Sequence, residues 1–182
     1  VGAVMVTTSE GNYAENLYKS TLGVTKAATL SGYGSGNEII LYNNSIKANV
    51  EFRDAKAEDF GRCLEIRGMT KDNPISAETL AELGVTEEIW GPLIKSKSII
   101  GVVSESPEGV VGFCHGDVNT GEVLVLAVLP EYEGRGLGKK MLSLVIDKLF
   151  SFNLEKLWLA ASPYPEIRAH GFYQRLGWIP TG

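Results

Sequence analysis

The sequence predicts an α/β fold, a mixed sheet flanked by helices, and three observations carry that prediction. Runs with the period-2 pattern of strands alternate with runs of helical period. One strand leads through a glycine-rich turn straight into an amphipathic helix. The chain's 182 residues, 44% of them hydrophobic, suffice for one substantial core with an appended piece.

Taken in order, the main body opens with Val50-Glu-Phe-Arg-Asp, a short strand, followed by helices over Glu58 to Met69 and Ser76 to Leu83. Thr86 is placed to cap a helix over Glu87 to Lys95, with Glu87 and Glu88 well placed in its first turn. Three strands follow, Ser98 to Ser104, Val110 to Val118 and Glu122 to Leu129, separated by turns at Pro107-Glu-Gly109 and Asn119-Thr-Gly121. A helix over 136–150, a strand over Lys156 to Ala161 and a helix over Glu166 to Leu176 complete the run.

The helix over 136–150 places Leu137, Met141, Leu144, Val145 and Leu149 on one face and Lys139, Lys140, Ser143, Asp147 and Lys148 on the other. Its first turn therefore points free N–H groups and a positive dipole end back at the preceding loop. In that loop Gly134, Gly136 and Gly138 permit a tight turn and close approach of a phosphate, while Arg135 and Lys139 add cationic donors. The ligand this implies is a phosphate, most simply a pyrophosphate. It is not the phosphate of a P-loop nucleotide, because Glu133 stands where the first glycine belongs and Lys140 where the Ser/Thr belongs. A dinucleotide fingerprint fails too, since the third glycine position falls on Lys139 or Met141.

The spacing resembles motif A of the GNAT superfamily of N-acetyltransferases, Gln/Arg-x-x-Gly-x-Gly/Ala after a strand ending Val-x-Pro. Here those residues are Glu122-Val-Leu-Val-Leu-Ala-Val128, Leu129-Pro130 and Glu133-Gly-Arg-Gly-Leu-Gly138. Glu133 departs from the pattern, and a carboxylate beside a pyrophosphate repels it, so Glu133 is expected to point away. A second match, Ala169-His-Gly-Phe-Tyr-Gln-Arg-Leu-Gly-Trp178, resembles the family's Ala-x-x-Phe-Tyr-x-x-Leu-Gly-Phe segment. The resemblance covers roughly residues 50 to 182 and implies a mostly antiparallel sheet, with acetyl-CoA as co-substrate.

By that resemblance the pyrophosphate cradle is Gly134, Arg135, Gly136, Leu137, Gly138 and Lys139. Leu126, Ala127, Val128 and Phe172 line the rest of the cofactor site, with the Ala127 and Val128 N–H groups on the thioester oxygen and the pantetheine amides. Tyr173 is the candidate general acid for the leaving thiolate. An alkylamine with its pKa near ~10.4 is protonated at neutral pH, so a base helps. Glu122 is the first candidate, and His115, whose ordinary pKa lies close to working pH, is the second. The acceptor is the amine of a small molecule or peptide, in a pocket that Arg67, Asp72, Glu87, Glu88 and Trp90 would line; acidic residues there would suit a cationic amine. The alternative from another class is a non-catalytic acyl-CoA-binding sensor or interaction module.

Residues 1 to 48 carry a partial copy of the same pattern. Val4 to Thr8 repeats the pattern of Leu157 to Ala161, and Ala14, Leu17 and Tyr18 then match Ala169, Phe172 and Tyr173 at one constant offset. Two strands follow, Val24 to Leu30 and Asn37 to Tyr42, around a turn at Ser31 to Gly36. Either this segment is the tail of a preceding module, or its strands complete the sheet of the domain at 49–182, within the chain or by exchange in a homodimer.

A formal charge of −5 and a pI near 5.1 argue against nucleic acid or an anionic membrane as partner. No run reaches the ~18 apolar residues of a membrane span. Cys63 and Cys114 are too few and too separated for a disulfide framework or a metal site, and His115 faces away from Cys114 on the same strand. The composition fits a cytoplasmic enzyme without a metal.

Overall fold

The computed structural model describes residues 5–9, 25–33, 36–42, 50–162, 164 and 167–181. The chain divides into two compact units, Val1–Asn49 and Val50–Gly182. In the first, β1 (Met5–Ser9), β2 (Thr25–Tyr33) and β3 (Gly36–Tyr42) form an antiparallel sheet in the order β1-β3-β2. β3 is the shared strand, with Thr8 and Thr29 both opposite Ile39. The turn expected over Ser31 to Gly36 is shorter than the glycines imply, because β2 runs on to Tyr33, opposite Gly36. The expected helix from Ala14 lies outside the described residues.

The second unit is built on β4 (Glu51–Asp54), β5 (Ile99–Ser106), β6 (Gly109–Asp117) and β7 (Val123–Val128), antiparallel throughout and in that order. Both hairpins form where the turn residues place them. Ser106 Oγ accepts from the Glu108 N–H and Gly109 takes φ +115°; Asp117 Oδ1 accepts from the Asn119 N–H at 2.7 Å, and Gly121 takes φ +74°. Arg53 fastens β4 to its surroundings, donating to Asp59 at 2.7 and 2.9 Å and to Glu105 at 2.7 Å.

Before β5 come α1 (Phe60–Gly68), α2 (Ala77–Glu82) and α3 (Glu87–Lys95). The residues Ala57–Asp59 ahead of α1, expected as α-helix from Glu58, form a separate 3₁₀ turn. Ser76 caps α2 by accepting from the Thr79 N–H at 3.2 Å. Thr86 makes no such side-chain bond for α3; its backbone carbonyl accepts from the Trp90 N–H at 2.8 Å.

After β7 a 3₁₀ turn, Pro130–Tyr132, leads to α4 (Leu137–Phe150), and α5 (Arg168–Arg175) closes the described chain. Met141, Leu142, Val145 and Leu149 of α4 are buried. A Cβ on Gly116 of β6 would lie 2.8 Å from Leu149, so α4 crosses β6 closer than any side chain there would allow. The expected strand over Lys156 to Ala161 reduces to a single parallel bridge, Glu122 with Trp158. Its alternation is present, Leu157 and Leu159 being half-buried between exposed Lys156, Trp158 and Ala160. A strand also needs ladder partners, and beyond Trp158 the backbone makes none with β7.

Candidate active site

β7 has two unlike edges. One is laddered to β6 through Gly112–Val128, Phe113–Ala127, Cys114–Leu126 and His115–Val125. Among the described residues the other is held only at its start, where the Val123 N–H donates to Trp158 O at 2.8 Å and the Trp158 N–H to Gly121 O at 3.1 Å. The gap that follows is a cleft of about 700 Å³, with β7 on one wall and Ala160, Ala161 and Ser162 on the other. Its size is that of an ordinary small-molecule site. Because the Leu129 N–H donates to Val111 O, strand alternation sends the Ala127 peptide toward β6 and the Val128 and Leu126 N–H groups into the gap. Of the two donors expected for the thioester and pantetheine, Val128 therefore faces the open edge and Ala127 does not.

At the far end of β7 the glycine loop has the shape its residues require. Gly134 and Gly136 take φ +72° and +79°, left-handed conformations that a side chain would strain, and Gly136 caps α4. The Lys140 N–H is the first to find an intrahelical acceptor, Gly136 O at 3.0 Å, which leaves the N–H groups of Leu137, Gly138 and Lys139 free in the first turn. Gly138 is helical; a Cβ there would sit 3.8 to 4.0 Å from Leu126, Val128 and Phe172, in ordinary contact. Gly134, Gly136, Leu137, Gly138 and Lys139 line the cleft together with Leu126, Val128 and Phe172.

The charges around the loop differ from expectation. Lys139 lines the cleft, whereas the Arg135 guanidinium stacks 4.7 Å from the Tyr132 ring centroid and donates to Glu131 O at 2.7 Å, outside the lining. Glu133 does not point away: it lines the cleft, and Arg168 compensates it with two bonds of 2.8 and 2.7 Å. Arg168 also donates to Asp72 at 2.8 Å, and the Glu133 bonds hold it protonated well above the usual arginine range. This clasp joins the loop after α1, the glycine loop and the start of α5. Nothing local in the sequence signals it, because its members are far apart along the chain.

Tyr173 and Phe172 lie on α5 and both line the cleft. Tyr173 packs edge-on to Phe172 at 5.2 Å and to Trp178 at 6.2 Å, and burial, with Cys114 nearby, pushes its phenol up to about 12. It is a proton holder at neutral pH. Glu122 sits half-buried at the held end of β7, outside the residues lining the cleft; burial and then Asp117 raise its carboxyl. His115 does line the cleft and is buried, 2% exposed, and that burial lowers it to about 4. Trp90, Arg67 and Asp72 line the cleft as expected, but Glu87 and Glu88 are exposed and do not. Among the described residues no three or more His, Cys, Asp or Glu side chains group as metal ligands, and no helix is long and apolar enough to cross a membrane.

A model of the acetyltransferase (GNAT) family matches residues 52–178. The chain belongs to that family. As a GNAT protein it is an acyl-CoA-dependent N-acyltransferase. Solved structures with the same fold include a GCN5-related N-acetyltransferase from Ralstonia eutropha JMP134, 19% identical, with a TM-score of 0.57 over 72% of this chain and 94% of that one. A PaiA N-acetyltransferase from Thermoplasma acidophilum, solved with coenzyme A, is 17% identical with a TM-score of 0.58 over 69% and 87% of the two chains. The ribosomal-protein-S18-alanine N-acetyltransferase from Escherichia coli is 21% identical with a TM-score of 0.52 over 70% and 76%. At these identities the likeness establishes the GNAT fold. No curated protein sequence matches this chain.

Proposed function

We propose that residues 50–182 transfer an acetyl group from acetyl-CoA to the primary amine of a small molecule or peptide. The observation that carries this is the continuity of the cleft: free N–H groups at the start of α4, then the open edge of β7, then Tyr173, in one cavity. Pyrophosphate oxygens suit the first, the amides of a pantetheine arm the second, and a departing thiolate the third. The second kind of acceptor has a counterpart in the Escherichia coli neighbour, which is named for a ribosomal-protein alanine.

In the reaction the amine nitrogen attacks the thioester carbonyl, and the oxygen takes the developing charge against the Val128 N–H. The C–S bond then breaks, the sulfur takes the Tyr173 proton, and the phenolate is reprotonated from solvent. The proton lost by the amine passes through water to Glu122, whose raised pKa makes it a better base than an exposed glutamate. His115, lowered to about 4, is the weaker alternative. The test is a calorimetric titration with acetyl-CoA, with NAD as control. Saturable binding of acetyl-CoA alone is expected, followed by turnover with an amine panel; a folded sample that does not bind acetyl-CoA overturns the assignment.

A further inference from the structure

The cleft passes through the sheet. Gly112 and Gly116 of β6 approach Met141 and Leu149, and Leu126 and Val128 lie near Gly138, so those positions face α4. Phe113, His115, Val125 and Ala127 alternate with them and face the other way, toward α1 and α3. On that far side the lining is an aromatic box. Phe60 and Trp90 are 5.9 Å apart, the Trp90 and His115 rings meet at 5.9 Å and 89°, and Phe113 and His115 stand at 5.4 Å.

His115 carries an unpaired group in this box. The Cδ2–Nε2 edge of its ring is pressed toward Gly101 on β5, where a Cβ would lie 2.3 and 2.8 Å from those two atoms. Nδ1 lies on the other side of the ring from that edge and is buried with no hydrogen-bond partner, in a residue that borders the cleft. A buried polar atom left unpaired is destabilising, and a ligand that bonds it recovers that loss. The acidic side chains lining the cleft, Asp72 and Glu133, are both committed to Arg168, and Glu87 and Glu88 are exposed outside it. The acceptor side therefore offers little to a polycation and much to an apolar ring.

We propose that this aromatic box, open to the cleft opposite the α4 face, is the acceptor site, and that it takes a primary amine on an apolar, ring-bearing body whose far end hydrogen-bonds to Nδ1 of His115. This rests on reading the cleft as that of an N-acetyltransferase. A hydroxyl is the fitting far-end group, because it both donates and accepts and so satisfies either tautomer of a neutral imidazole. Trp90 and Phe60 supply the stacking surface.

The experiment compares acetylation of 2-(4-hydroxyphenyl)ethylamine, 2-phenylethylamine, spermidine and kanamycin by the same protein, after acetyl-CoA binding has been checked by calorimetry. The hydroxylated ring amine should exceed the unsubstituted one by about tenfold in kcat/KM, and both should exceed the polycations. His115→Phe, which keeps a ring and removes Nδ1, should bring the ratio between the two ring amines close to one. Preference for spermidine or kanamycin overturns the proposal and leaves the acetyltransferase reading standing, as does an unchanged ratio in His115→Phe. Acetyl-CoA binding without acetylation of either ring amine overturns it as well, and absence of acetyl-CoA binding sinks both. Should His115→Phe fail to fold, the order of the four amines with the unmodified protein decides alone.

Discussion

The two halves of the cleft are made from different materials. The half proposed for the cofactor is backbone: the left-handed turns of Gly134 and Gly136, the free N–H groups of α4's first turn, and the open edge of β7. The half proposed for the acceptor is side chains, with Phe60 from α1, Trp90 from α3, and Phe113 and His115 from β6 meeting in one buried box. Backbone donors read what is common to a cofactor and tolerate most side chains around them. Side-chain walls read size and polarity and change with single substitutions. Cofactor recognition should therefore break through conformation, and acceptor recognition through chemistry.

The strongest way to break the first half is Gly136→Val, which forces a β-branched residue to φ +79° although a Cβ there meets nothing. Acetyl-CoA affinity measured by calorimetry should fall by about 100-fold or more, since the loop must change shape. Gly138→Ala, whose Cβ finds ordinary contacts, should change it by less than about threefold; equal losses at both positions would mean that space, not backbone conformation, sets the site. Next in size, Tyr173→Phe should reduce kcat by about 10²-fold while leaving acetyl-CoA binding intact. A parallel loss of affinity would make Tyr173 a packing residue.

A smaller effect sharpens the electrostatics between the halves. Arg168→Met uncovers the Glu133 carboxylate beside the cradle and should weaken acetyl-CoA binding by about tenfold, and adding Glu133→Gln to it should restore most of the loss. The exposure of Arg168, 53%, limits the size of this effect. The smallest concerns stability. His115 titrates near 6.5 in an unfolded chain and at about 4 in the folded one, so the unfolded state takes up its proton first and stability falls as pH drops from 6.5 toward 4. Urea unfolding at pH 5.5 should show a deficit of about 1 kcal/mol against pH 8 that His115→Gln removes.

The same contrast explains what the sequence could reveal. Gly134, Gly136 and the amphipathic face of α4 are local, and their spacing alone places a turn, a helix start and an anion site within a few residues of one another. The Phe172-Tyr173 pair is legible for the same reason, as a short segment on one helix. The Arg168 clasp and the aromatic box are not, because their members come from separate elements and only the folded sheet brings them together. Glu133 shows the cost of local reasoning: repulsion argued that it must turn away, whereas a cation from α5 lets it stay. The run over 156–161 shows another limit, since alternation reports burial and says nothing of whether a neighbouring strand runs alongside.

The lone rung between Glu122 and Trp158 also governs where water sits. Beyond it the Leu126 and Val128 peptide groups face the gap with no partner among the described residues, so solvent must satisfy them there. That solvent lies beside the apolar flanks of Leu126, Val128 and Phe172, where few orientations suit it. A molecule bearing its own amides exchanges these waters for direct bonds and continues the sheet by one more rank, so the heat of filling the cleft should resemble that of adding a strand.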